Sequence, residues 1–103
     1  MTTFYKDIET PSGIVTTYHK ITSVGFEFSD KHVFQIGVDS WVSKEAYLQK
    51  KFSFDRDVVF SDKLPPDDLP SSHLWDWAFA LIKNPTDDIK GYNLHKYVNY
   101  VPD

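Results

Sequence analysis

The sequence predicts an α+β domain: an antiparallel β-sheet or small sandwich of four or five strands, with one α-helix in the C-terminal half. Three observations carry this. Apolar and polar residues alternate with period two through the first sixty residues. A break rich in proline and aspartate follows at residues 62–70. Beyond it, one stretch at residues 73–83 carries apolar side chains at helical spacing.

The first strand is expected over residues 4–10, closed by Pro11-Ser12-Gly13, where Pro and Gly each suit a fixed turn position. The second spans residues 14–28, its even side reading Ile14, Thr16, Tyr18, Lys20, Thr22, Val24, Phe26 and Phe28. Gly25 inside it points to a bulge or bend near Ser23-Val24-Gly25. Ser29-Asp30-Lys31 makes a tight turn, and His32, Phe34, Ile36, Val38, Ser40 and Val42 then alternate with more polar neighbours in a half-buried return strand. Residues 43–51 read as a connection in which Ser43 offers a cap for one short helical turn. In the next strand Phe52, Phe54, Val58 and Phe60 form the apolar side, interrupted by Arg56, opposite Ser53, Asp55, Asp57, Val59 and Ser61.

The helix is expected over residues 72–83, capped by Ser71 or Ser72 and stopped by Asn84-Pro85. Leu74, Trp77, Ala78 and Leu81 make one apolar stripe; Trp75, Phe79 and Ile82 make a second beside it. One helix on one sheet needs only one stripe, so the surplus implies a sandwiched helix or one facing a partner subunit. Residues 1–83 are read as a single β-rich domain and 84–103 as a C-terminal extension or arm. Its tyrosines Tyr92, Tyr97 and Tyr100 alternate loosely, as in an added strand or an arm laid on a neighbour.

A chain of 103 residues holds one small core and not two. Aromatic residues make up 17% of it, so burial rests on a few large side chains. Cysteine is absent, which excludes disulfides, thiolate metal ligation and cysteine nucleophiles. The net charge of −4 lies in the second half: six lysines balance six acids over residues 1–51, while five bases face nine acids over 52–103. Arg56 is the sole arginine. Without clustered Lys and Arg, neither nucleic acid nor an anionic membrane is an expected partner. The first residues lack the basic and apolar runs of a signal peptide, so the chain is expected to be made and kept in a cytoplasm.

Catalytic motifs find no support. His19, His32, His73 and His95 fall at no metal-ligand spacing, and His19 is expected on the side opposite the main apolar one, solvated or edge-packed. Asp67-Asp68 and Asp87-Asp88 read as solvated turn residues, and Asp55-Arg56-Asp57 as a local ion-pair cluster. No GxSxG elbow and no glycine-rich phosphate loop occur. No enzyme activity, cofactor or metal is therefore expected. Trp41, among acids, invites a sugar-stacking reading, but Trp and Tyr are equally enriched at protein interfaces, and the interface reading is preferred.

Thr10-Pro11-Ser12-Gly13, preceded by Glu9 and followed by Tyr18-His19-Lys20-Ile21 and Val24, resembles the opening of small proteins encoded in the structural-gene clusters of tailed bacteriophages. Residues 39–47 resemble their polar segment and residues 74–82 their short Leu- and Ala-rich helix, so the resemblance covers residues 8–83. It implies a virion component near the tail or its fibres, made in the host bacterial cytoplasm, and transfers no catalytic or ligand residue. The sequence is thus read as a non-enzymatic structural or adaptor protein that contacts its own copies and other virion proteins. Trp75, Phe79, Ile82, Trp41, Tyr92, Tyr97 and Tyr100 are its candidate interface residues. A carbohydrate-binding module for host glycans and a small phage-encoded regulator of a host protein are the alternatives.

Overall fold

The computed structural model describes residues 2–26, 33–86 and 88–103. Four strands run as an antiparallel meander: β1 (Thr3–Glu9), β2 (Val15–Phe26), β3 (Phe34–Trp41) and β4 (Asp55–Ser61). Helix α1 (Lys44–Leu48) lies between β3 and β4 in sequence; α2 (Leu74–Lys83) and two-residue strands β5 (Gly91–Tyr92) and β6 (Val101–Pro102) follow. The sheet has six strands in the order β5-β4-β3-β2-β1-β6. The α+β class, the antiparallel sheet and the main helix in the C-terminal half agree with expectation. The strand number does not, because β5 and β6 are too short to show alternation. The turn expected at Ser29-Asp30-Lys31, with Phe28 and His32 beside it, lies outside the described residues, as does Asp87.

Local chemistry explains the connections. The β1–β2 turn closes with Gly13 N–H donating to the Thr10 carbonyl at 2.8 Å, and Gly13 takes φ +85°, which suits a residue without Cβ. Ser43 caps α1 by accepting from Ala46 N–H at 3.1 Å. Helix α2 does not use its expected serine cap; Ser71–His73 form a 3-10 turn that leads into it.

Strand β2 changes sides partway. Its register against β3 shifts between Ile21 and Ser23, just before the expected bend. The extra residue flips the alternation, so Ile21 at 1% exposure and the even-numbered Val24 both pack on the main core. Gly37 sits opposite the bulge, and a Cβ there would run into Ser23 Oγ. Strand β4 corrects a second expectation. Cross-strand partners share a face, and Ile36 and Phe34 pair with Val59 and Ser61, which are 0% and 1% exposed. The odd side of β4 therefore meets the core, and the apolar even side turns away.

The main core lies between this face of the sheet and α2. Phe34, Ile36, Val38 and Val59 meet Ala78, Leu81 and Ile82, with the Phe34 and Trp77 rings edge-on at 5.4 Å. Residues 84–103, expected as an extension or arm, pack on this same core: Ile89, Leu94, Tyr97 and Tyr100 are 6%, 3%, 1% and 2% exposed. Asn93 and Asn99 take φ of 61° and 60°, a left-handed conformation that Asn tolerates, and so fold the segment back on itself. Phe79 and Ile82 of the second α2 stripe are consequently covered from within the chain, Phe79 lying 4.8 Å from Tyr100 and 5.9 Å from Phe4 between ring centroids.

Candidate functional site

Of the seven candidate interface residues, the structure places four inside the chain's own cores. Ile82, Tyr97 and Tyr100 belong to the main core, and Trp41, 8% exposed, packs on the opposite sheet face with Tyr18 and Ala46. Phe79 is half-buried. Trp75 and Tyr92 remain at the surface, 37% and 58% exposed. The sugar-stacking reading loses its central ring: Trp41 stands edge-on to Tyr47 at 4.9 Å and donates Nε1–H to the Lys51 carbonyl at 3.0 Å.

Among the exposed apolar side chains are Phe52 and Phe54, which the alternation assigned to a strand, and Leu48 of the connection before it. Phe52 is 100% exposed, Leu48 61% and Phe54 49%. The presentation is fixed by backbone chemistry. Helix α1 ends with Lys50 N–H on the Tyr47 carbonyl at 3.0 Å and Lys51 N–H on the Ala46 carbonyl at 3.1 Å. Those are the two bonds of a Schellman motif, whose left-handed position usually belongs to Gly. Here Lys50 occupies it at φ 59°. Trp41 Nε1–H then holds the Lys51 carbonyl, and Phe54 N–H donates to the Ser40 carbonyl at 2.8 Å. Phe52 therefore projects from a short segment pinned on both sides, flanked by the exposed Lys50 and Lys51.

A second cluster gathers on Asp103. Its carboxylate accepts from Tyr18 OH at 2.6 Å, Lys44 Nζ at 3.1 Å, Thr3 Oγ1 at 3.2 Å and Tyr5 OH at 3.3 Å. The Tyr18 hydrogen bond, followed by that of Lys44, lowers the carboxyl pKa to about 2. Each donor comes from β1, β2 or α1, so the cluster fastens the short β6 edge to the sheet. Arg56 also finds a different partner from the one expected. It reaches across the ladder to Asp39, Nε to Oδ1 at 2.7 Å and a second guanidinium nitrogen to Oδ2 at 3.0 Å, because Asp55 and Asp57 point to the other face. Asp57 instead accepts from Asn93 Nδ2 at 3.0 Å and pairs with Lys96.

Sequence reasoning missed a buried serine–histidine pair. His19, 0% exposed, stacks on Phe4 at 5.1 Å; its Nε2 lies 2.6 Å from the Lys6 carbonyl and its Nδ1 2.7 Å from Ser40 Oγ. A carbonyl can only accept, so Nε2 carries the proton and Ser40 donates to Nδ1. Burial lowers the His19 pKa, the Lys6 carbonyl opposing it and Lys96 adding to it. The pairing is that of an activated nucleophile, yet Ser40 is 4% exposed and both side chains are sealed in the core. Their role here is to satisfy each other. The β2 bulge is the signal that places His19 inside.

Among the described residues, no group of three or more His, Asp or Glu side chains is placed to hold a metal ion, and no helix is long and apolar enough to cross a membrane. No protein-family model, curated protein or solved structure matches the chain.

Proposed function

We propose that this chain is a non-enzymatic structural or adaptor component of a bacteriophage particle, associated with the tail or its fibres, that works by protein–protein contact. The supporting observation is Phe52, fully exposed on a segment pinned on both sides, with Leu48 and Phe54 of the same stretch of chain also exposed. Covering such a side chain with a partner gains about 1.5–3 kcal/mol before association costs. Trp75 and Tyr92 extend the apolar surface available to other particle proteins. The assignment to a tail rests on the resemblance of residues 8–83.

The test is quantitative mass spectrometry of gradient-purified particles together with the lysate that produced them. Recovery in the particles at a fixed ratio to the major tail protein is the expected outcome. Enrichment in the soluble fraction, with none in particles, refutes the reading and leaves a regulator of a host protein as the explanation.

A further inference from the structure

The exposed Phe52 has a counterpart elsewhere on the same molecule. A cavity of about 320 Å³ opens beyond the end of β4, walled by Phe26, Leu64, Pro65, Pro66, Leu69 and Leu74. That volume is near the lower limit for ligand pockets and is suited to an apolar side chain or two. Its wall is stiff, because three prolines, Pro65, Pro66 and Pro70, line it and Leu69 N–H is tied to the Pro66 carbonyl at 3.0 Å. Asp67 stands at its edge with Asp68 next in the chain, both exposed.

Projection and cavity carry opposite charge. Lys50 and Lys51 precede Phe52, and Asp67 and Asp68 flank the cavity. They also lie at opposite ends of one strand: Phe52 comes just before Asp55 and Leu64 just after Ser61, with β4 between them. Seven residues of strand span about 23 Å, so one molecule does not fill its own cavity.

We propose that Phe52 of one copy seats in the proline-walled cavity of a second copy, with Lys50 and Lys51 facing Asp67 and Asp68. This rests on the reading of the chain as a contact protein and names one of its partners. The contact is head-to-tail: each copy uses a different surface on each side, so it generates a ring if the rotation closes and a filament if it does not. The left-handed Lys50 fits the arrangement. Gly would be the cheaper residue there, and Lys supplies a charge beside the aromatic anchor.

Sedimentation velocity of the full chain over a wide concentration range, at low and high salt, tests the contact. Mass is expected to grow past the dimer with concentration, and less so at high salt. Phe52→Asp, at a position making no buried contact, should raise the dissociation constant at least about ten-fold, as loss of a central aromatic anchor does. Asp67→Lys combined with Asp68→Lys should do the same. Mixed in equal amounts, the two variants should form one-to-one dimers that grow no further, since one keeps the cavity and the other the projection. A wild type that stays monomeric throughout, variants that assemble like wild type, or a mixture that stays monomeric each overturns the contact. None of these outcomes bears on recovery of the chain in particles, so this proposal and the one above fail separately.

Discussion

A chain ending at Asn84 keeps the whole of the expected β-rich domain, and the structure says that it will not fold. Truncation removes Ile89, Leu94, Tyr97 and Tyr100, all at or below 6% exposure, from the main core. At about 1.5–3 kcal/mol for each fully buried large side chain, the loss is about 6–12 kcal/mol. A domain of this size has in total about 5–15 kcal/mol. Truncation also strips β5 from β4 and β6 from β1, which bares both sheet edges. The expected result is a far-UV spectrum without a cooperative melt and an amide NMR spectrum of narrow dispersion. Tyr100→Ala in the full chain supplies the graded version: about 3–5 kcal/mol for deleting a buried ring. At about 4 °C per kcal/mol, Tm should fall by at least about 12 °C. A truncated chain that melts cooperatively near the full chain's Tm would refute the core role of the C-terminal segment and restore the arm.

Four further outcomes follow from single groups. Tyr100→Phe should cost about 0.5–1.5 kcal/mol in urea melts, because its hydroxyl donates to the Phe79 carbonyl at 2.7 Å. Tyr97→Phe should cost less than Tyr100→Phe, since that buried hydroxyl makes no hydrogen bond of full geometry among the described residues and has only Ser40 near it; equal losses for the two variants would contradict the structure. His19 is held neutral in the fold, with its pKa below the ordinary 6.5, so the unfolded chain takes up the proton first as the pH drops. Stability should be full above pH 6.5 and decline below it, and His19→Gln, though less stable, should flatten that slope; an unchanged slope would exclude His19 as its source. Lys50→Gly should gain about 1 kcal/mol by relieving the left-handed backbone, read from the shift in urea midpoint, and a loss would show that the Lys50 side chain makes a stabilising contact.

How far the sequence revealed the fold depends on where each strand's register is set. Strand β3 was legible because it lies in the middle of the meander: Phe34, Ile36 and Val38 alternate cleanly and all are 0% exposed. Ser43 was legible as a cap because capping is a local event. In β2 the alternation was legible but its continuity was not, since one extra residue reverses the faces, and His19 went to the wrong side. The C-terminal segment hid its core role for a different reason. It makes turns at Asn93 and Asn99, so Leu94, Tyr97 and Tyr100 reach the core at no fixed period.

Strand β4 connects the misreading with the proposed function. Counting apolar residues favours its even side, since Phe52, Phe54, Val58 and Phe60 outweigh Val59 and Ser61. Pairing with β3 decides otherwise, and the tail makes that choice tolerable: Lys96 and Asn93 satisfy Asp57, which would otherwise place a bare carboxylate beside the core. Once the odd side is committed inward, the even side of β4 faces outward, and Phe52, ahead of the strand, is left fully exposed by the turn that ends α1. Of the surplus apolar surface expected on α2 only Trp75 stays exposed, and the most exposed aromatic side chain, Phe52, lies ahead of β4 instead. Tyr100 covers Phe79 of the helix stripe, while Phe52 stays fully exposed. The proposed contact surface is in this way coupled to the fold. A variant that breaks the Asp57–Lys96 pair should loosen the C-terminal segment and shift β4, weakening association as well as stability, whereas Phe52→Asp should weaken association alone. Melting and sedimentation measured on the same two variants separate the roles, and a stable Lys96→Ala protein with undiminished association would show that the surface does not depend on the segment behind it.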